Sequence, residues 1–418
     1  MTLVERIMAE KAGLPQVRQG DLVWADIDVA AIDDVQFSIF ERHFNRLGAS
    51  VWDTERAVVI GDHYLPASTP HQAEIERALY HFAREHSIKN VFLSHGVKHQ
   101  VLPEQGVVRP GRLVVATDSH TNTAGAFGAM GVAMGPSEVA VIFAKGRMWF
   151  RVPEAIRIEL KGTLQIGVTA KDVALRILGD RGTSFAQYKA LEFALEEPSQ
   201  LGMDERMTLC NMTTEMGAKA GMFAPDETTA SFYRDRGIHV EQRDDLRSDP
   251  DAQYQEEFAV DMGALEPLVA EPPSPSNVKP VGAFKDVVVD QAFVGSCANA
   301  NYEDLAAAAR ILEGRQVHAG VQFIVNPASM GVYRKALTTG VIETLIDAGC
   351  VVTNPGCGAC PGVHMGTLGP GHVRISSQNR NFVGRGGHKD SQTYIASAET
   401  VASSALTGRI TDPREFMS

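Results

Sequence analysis

The chain has 418 residues, 44% hydrophobic and 22% charged, a length that predicts two or three domains with ample core. Lys+Arg 39 against Asp+Glu 51 gives a net charge of -12. That acidity argues against a general nucleic-acid or anionic-membrane binder, which needs a broad basic surface, and it requires a local cationic pocket for any anionic small substrate.

In chain order, Met1 to Lys11 carries spaced charges and reads as a folded amphipathic helix, not a signal peptide; its two glutamates weaken a transit-peptide reading. From Gln19 to about Phe150, short apolar runs alternate with helical stretches. Val58-Val59-Ile60, Val91-Phe92-Leu93 and Leu113-Val114-Val115-Ala116 predict buried strands of an α/β domain over 1–152. Each run leads into a polar segment with a histidine: Asp62-His63, His95 to His99, and Asp118-Ser119-His120. Sites in open α/β sheets gather at the carboxyl ends of strands.

A second α/β domain is expected over 153–270. Ile156 to Leu160 alternates like a half-exposed strand, and Thr169-Ala170-Lys171-Asp172 offers a capping pattern for a helix through Leu178. Asp204 to Ala220 reads as another helix, and Asp244 to Glu257 as a polar surface stretch. Glu271-Pro272-Pro273-Ser274-Pro275-Ser276 marks a proline-rich linker over 271–280. The last segment, 281–418, again alternates: a strand over Val287 to Val294 runs into Cys297, Tyr302 to Leu312 is an alanine-rich helix, Val321 to Val325 is a strand, and Cys350 to Thr353 is another that ends at Cys357-Gly358-Ala359-Cys360.

Five cysteines, with no secretory pattern before them, point to a reducing cytoplasm, where closely spaced cysteines more often mean metal or catalysis than disulfides. No apolar run approaches the length of a membrane span. Cys297 lies between a strand and a helix, where free backbone N–H groups favour an anion. The glycine-rich turn around Cys357 and Cys360 lets two sulfurs approach one metal group. Three thiolates fit an iron–sulfur cluster that leaves one iron without a protein ligand, open to act as a Lewis acid. A structural zinc site, which needs a fourth ligand, and a redox CxxC are the alternatives. Cys210 and Cys350 fall within a helix and a strand and read as packing residues.

Asp62-His63 and Asp118-Ser119-His120 each put a carboxylate beside an imidazole, which can fix the ring tautomer and raise its pKa for proton delivery. Either pair alone reads more readily as a capping acid with a satisfied histidine; two pairs plus His99 at successive strand ends reverse that preference and favour catalysis. From Ser376 to Gly387 the chain is locally basic, and Arg380 and Arg385 in a glycine-rich loop suit bidentate recognition of carboxylates. A solvated surface loop is the plainer alternative.

Asp118-Ser119-His120-Thr121, Gly295-Ser296-Cys297-Ala298-Asn299, the CxxC turn, Arg206 to Met212 and Asn379 to Arg385 together resemble the aconitase superfamily. Length and motif order are most similar to its group of 3-isopropylmalate dehydratase and homoaconitase large subunits. The resemblance implies a three-domain α/β architecture around a [4Fe-4S] cluster held by Cys297, Cys357 and Cys360. It implies that Asp62 and His63 donate a proton, that His99, Asp118, His120 and Glu192 surround the open iron, and that Ser119, Arg380 and Arg385 bind substrate carboxylate. Asn299 and Asn379 would lie at the cluster.

The pattern also departs from the family. Ala298 and Ala300 stand where a threonine and a serine are common, and Ser94 to His99 lacks the usual glycine- and cysteine-containing form; neither change removes a ligand or an acid–base group. The chain ends soon after the arginine loop, so the swivelling fourth domain is expected on a separate small subunit and this polypeptide alone to be inactive or nearly so. The implied reaction is dehydration and rehydration of a hydroxy di- or tricarboxylate, first 3-isopropylmalate in leucine biosynthesis, with homoaconitate, citramalate, maleate or a substituted malate as alternatives. A cluster-free RNA-binding or iron-sensing protein is the reading from another class.

Overall fold

The computed structural model describes residues 1–417. They form two compact units. The first comprises Met1–Ser94, Val101–Lys161 and Ser184–Val260; the second comprises His95–Gln100, Gly162–Thr183 and the chain from Asp261 onward.

The first unit carries a five-stranded sheet in the order Asn90–Leu93, Ala57–Gly61, Val29–Asp33, Leu113–Ala116, Met130–Ala133, parallel throughout. Val29–Asp33 and Ala57–Gly61 are buried along their whole length, as continuous apolar runs covered on both faces should be. The chain moves outward from Val29–Asp33 to Asn90–Leu93, then returns to the opposite side of Val29–Asp33 at Leu113–Ala116. That reversal opens a crevice at the carboxyl ends of the central strands. The unit also carries a second sheet, in the order Ala220–Phe223, Ala190–Leu195, Ala155–Lys161, Glu256–Asp261, and an antiparallel pair of Leu22–Asp26 with Arg147–Arg151. The N-terminal helix Leu3–Ala12 starts with the capping box of Thr2 and Glu5 and buries Leu3, Val4, Ile7 and Met8.

The second unit is built on seven strands in the order Val278–Pro280, Leu268–Ala270, Gln392–Ile395, Val373–Ser376, Gln291–Val294, Gln322–Val325, Val351–Val352. The last five are parallel. Here too the chain runs outward from Gln291–Val294 through Gln322–Val325 to Val351–Val352 and returns on the other side at Val373–Ser376. The helices Tyr302–Leu312 and Ala398–Thr407 cover this sheet with buried alanine, valine and leucine.

Three expectations change. The proline-rich 271–280 segment forms the turn and second strand of a hairpin, Leu268–Ala270 with Val278–Pro280, inside the last sheet. The chain enters the second unit for the last time at Asp261, and Gly162–Thr183 already belongs to that unit, so 153–270 does not form one domain. Proline breaks regular structure equally in a tight connection and in a linker, so the sequence does not separate the two. The helix expected over 204–220 stops at Met212, where a short 3-10 turn (Thr213–Met216) and Gly217, with φ of +83°, hand the chain to the strand Ala220–Phe223. The strand over Val287 to Val294 is limited to Gln291–Val294. Among the described residues, no helix is long and apolar enough to cross a membrane.

Candidate active site

The switch point of the first unit gathers carboxylates and imidazoles. His63 follows the strand Ala57–Gly61, and its Nδ1 lies 2.9 Å from Asp62 Oδ1 and 3.1 Å from Asp34 Oδ1. Asp34 also accepts the backbone N–H groups of His63 and Tyr64 at 3.0 and 2.8 Å, which locks it under the ring. Burial works against a charged His63, but the Asp62 and Asp34 carboxylates outweigh it and raise the imidazole well above its ordinary value. Two acceptors at Nδ1 fix the proton there and leave Nε2 as the working nitrogen.

His63 Nε2 faces Asp118 Oδ2 at 3.6 Å, and the other oxygen of Asp118 lies 3.6 Å from His120 Nδ1. Asp118 Oδ1 also accepts the His120 N–H at 2.7 Å, capping the 3-10 segment Ser119–Phe127. His120 Nε2 then meets Glu215 Oε1 at 2.9 Å. A continuous run Asp62–His63–Asp118–His120–Glu215 results, and Ser119 Oγ sits 3.4 Å from His120 Nδ1. Alternating carboxylates and imidazoles at these spacings can store and redistribute a proton.

Glu215 was not among the sequence candidates. It is delivered by the segment after Arg206–Met212: Thr214 Oγ1 donates to Ser119 O at 2.9 Å, and Asn122 Nδ2 donates to Thr213 Oγ1 at 3.0 Å. Gly125 permits this approach, since a Cβ there would lie 1.7 Å from Gly221 O. Arg206 is fully buried and grips Asp226 through two 2.8 Å bonds, so the Arg206–Met212 motif holds the scaffold that carries Glu215.

Glu192 is placed elsewhere. It accepts from Val4 N at 3.3 Å, Ser248 Oγ at 2.6 Å and Tyr254 OH at 2.9 Å, and burial raises its carboxyl. It lines a cavity of about 420 Å³ with Leu3, Arg157, Phe193 and Tyr254. None of its partners is His63, Asp118 or His120.

The second unit gathers the thiols. Cys297 follows the strand Gln291–Val294 through Ser296, whose φ of +77° is left-handed and unusual for a residue with a side chain. Asn379 Nδ2 donates to Cys297 Sγ at 3.6 Å while its Oδ1 accepts from Ser296 Oγ at 2.8 Å. Arg385 Nη2 reaches Cys360 Sγ at 3.7 Å. The Cys357 thiol, the Arg385 guanidinium and the Ser296 hydroxyl hold the Cys360 thiol well below its ordinary range, against its burial. Gly358 and Gly362, with φ of +63° and +66°, shape the turn; a Cβ on Gly358 would strike Asn326 Oδ1 at 2.6 Å. Arg374, fully buried, clamps the turn through Ala359 O at 2.9 Å and Gly366 O. Asn299 lies buried beside it, its Nδ2 donating to Asp304 Oδ1 at 2.9 Å. The Arg380 carbonyl accepts from Gln378 Nε2 at 2.6 Å.

His99 falls in this unit. Its segment leaves the first sheet and pairs Gly96 with Ser329, with Val97 N donating to Ala328 O at 2.8 Å. Gly96, at φ of +122°, is required because a Cβ would lie 2.3 Å from Ala328 O.

The donor set fits a thiolate-held iron–sulfur group. Ser296 bonds the sulfurs of Cys297 and Cys360, Cys357 bonds Cys360, and Asn379 and Arg385 add N–H donors, as such centres need. The other two cysteines contrast sharply: burial raises Cys210 well above its ordinary value and pushes Cys350 up to about 12, so both stay as inert thiols.

The model of the aconitase family (aconitate hydratase) matches residues 7–408. The chain is 44% identical to 3-isopropylmalate dehydratase large subunit 1 of Methanopyrus kandleri, covering 100% of this chain and 99% of that one. It is 45% identical to the probable methanogen homoaconitase large subunit of Methanothermobacter thermautotrophicus over 99% and 98% of the two chains. With the 3-isopropylmalate dehydratase large subunit of Desulfitobacterium hafniense, identity is 41% over the full length of both. Among solved structures, Thermococcus kodakaraensis aconitase X in its holo form aligns with a TM-score of 0.49 and 13% identity, over 90% of this chain and 89% of that one. A match of this extent, carried by relatives that align end to end, makes the chain a member of the aconitase family.

Proposed function

We propose that this chain is the cluster-bearing large subunit of a hydro-lyase that dehydrates and rehydrates a hydroxy dicarboxylate, with 3-isopropylmalate as the first substrate and leucine biosynthesis as the setting. The observation that carries this reading is the coexistence, in a family member, of a three-thiol site and a His63 ring held by two carboxylates. A [4Fe-4S] cluster on Cys297, Cys357 and Cys360 would supply an open Lewis-acid position for the substrate hydroxyl.

The chain's own residues carry the proton. His63, charged by Asp62 and Asp34, donates from Nε2 to the departing hydroxyl. Asp118 faces that nitrogen and passes the resulting charge change towards His120 and Glu215. Asp118 therefore orients both rings, and Glu215 takes the place that Glu192 was expected to hold. Ser119, Arg380 and Arg385 bind the carboxylates. Their donors stabilise negative charge that develops next to a carboxylate when the neighbouring proton is removed. His99 stays a candidate for the same reaction. The base itself is assigned to a small-subunit partner, a reading that rests on the large-subunit names of the relatives.

Homoaconitate is the second substrate reading, favoured by the 45% identity to a homoaconitase large subunit. Anaerobically prepared protein, mildly oxidised, should give a [3Fe-4S] paramagnetic signal that vanishes when ferrous iron and reductant are added. Turnover of a panel of hydroxy acids, with and without the small subunit, then assigns the substrate. Reconstituted protein with zinc and no sulfide would sink the reading.

A further inference from the structure

Lys171 is a fully buried lysine that neither the acid–base run nor the thiol set uses. It lies in the first turn of the helix Ala170–Arg181, fixed by the capping box of Thr169 and Asp172. Asp172 in turn accepts Leu268 N at 2.8 Å. That is a poor place for a cation on two counts. The first turn presents the positive end of the helix dipole, and a buried ammonium forfeits its hydration. Something anionic nearby has to offset both costs.

The surroundings supply it. Lys171 Nζ donates to Ser377 O at 2.9 Å and Gln378 O at 3.2 Å. These two residues immediately precede Asn379, which bonds Cys297. Ser377 Oγ also ties this turn to the cysteine loop, donating to Asn299 O at 3.0 Å and accepting from Gly295 N at 3.1 Å. Burial pushes the Lys171 ammonium down to about 8, against the attraction of Asp304, Cys297, Cys360 and Asp172. Two of those four are thiols of the candidate metal site.

We infer that Lys171 is a positioning residue of the thiol site: a fixed internal cation that holds the turn bearing Asn379 and offsets the negative charge of an iron–sulfur group on Cys297, Cys357 and Cys360. The inference rests on the cluster reading above. Three thiolates on a [4Fe-4S]2+ core carry a net charge of one negative unit, and one-electron reduction to [4Fe-4S]+ makes it two. A cation at this position favours the reduced form and raises the reduction potential.

The test is an anaerobic redox titration with dithionite as the electron donor, followed by paramagnetic resonance, on the cluster-loaded chain with its small subunit. Lys171→Met removes charge and hydrogen bonds; Lys171→Gln removes the charge and keeps a donor for the two carbonyls; Lys171→Arg keeps the charge. Met and Gln variants should each lower the reduction equilibrium constant about tenfold, ~59 mV for one electron, while the Arg variant stays near the wild type. Should the Met variant fail to hold a cluster, the Gln and Arg variants still decide the matter. A Gln variant with the wild-type potential overturns the inference, because a purely structural role needs only the hydrogen bonds. Wild-type protein without any iron–sulfur cluster overturns the underlying reading instead, so the two failures are distinguishable.

Discussion

The first unit's parallel sheet and the parallel part of the second unit's sheet solve the same topological problem with different chemistry. In each, the chain reverses across a central strand, Val29–Asp33 in one and Gln291–Val294 in the other, and the loops at that reversal carry the functional side chains. The first sheet's loops end in acids and imidazoles whose partners are each other: every ring nitrogen of His63 and His120 faces a carboxylate. The second sheet's loops end in thiols whose partners are neutral or cationic donors, Asn379, Ser296 and Arg385. One end is built to keep protons in play; the other surrounds sulfur with donors and holds the Cys360 thiol well below its ordinary range. A strand end supplies position only, and the residues placed there decide the chemistry.

The largest effect that tests this contrast is at the thiols. Cys297→Ala or Cys360→Ala should abolish cluster assembly and activity, read as the loss of iron and sulfide in the reconstituted protein. Cys210→Ala and Cys350→Ala should retain the full complement and cost about 1–2 kcal/mol of stability each, because burial keeps both as neutral packing groups. Loss of cluster in either of the latter would break the assignment of roles among the five cysteines.

Next comes the proton donor. His63→Gln should lower kcat by about 10²–10⁴-fold while the cluster's paramagnetic signal stays that of the wild type. An equal loss of signal and activity would mean that the two sheet ends are not chemically separable.

A smaller effect distinguishes two buried glutamates. Glu215→Gln should lower kcat by about 10²-fold with little change in thermal stability, since it alters the far end of the His120 contact. Glu192→Gln should do the reverse. It leaves kcat unchanged and costs about 1–3 kcal/mol, because the amide cannot accept from Val4, Ser248 and Tyr254 as the carboxyl does. Paired kinetics and melting curves on the two variants would read both outcomes.

That pair also marks where the sequence stops being legible. The buried strands, the capping box at Thr169 and the strand-end histidines were readable because apolar runs and cap residues act locally. Glu192 was reached by likeness of a short segment, and nothing in Tyr188 to Phe193 says what that strand faces. Glu215 lay beyond sequence reasoning because a helix was expected to run through it. The early stop at Met212 depends on Thr213 and Asn211 bonding to Asn122 and Thr123, ninety residues away in the chain. Likewise the capping pattern at Thr169 to Asp172 says nothing of where Lys171 points, since only tertiary packing buries it. The proline-rich 271–280 segment was misplaced for the opposite reason: its local signal was strong but served two structures equally.

The smallest predicted effect concerns charge on His63. The ring's raised pKa means that its stabilising contribution is fully present below the unfolded value, about 6.5, and is lost as pH rises through the folded value. The same protonated form is the proton donor, so activity should fall on the alkaline side along with that stability. Asp62→Asn removes one of the two carboxylates at Nδ1 and keeps an oxygen to accept its proton, while Asp34 remains. The ring keeps its orientation but loses part of its electrostatic support. The alkaline limb of kcat/KM should therefore move down by about one pH unit, with activity on the acid side nearly unchanged. A uniform loss at every pH would instead mean that Asp62 acts by geometry alone, and the contrast between a proton-holding sheet end and a thiolate-holding one would rest on Asp34.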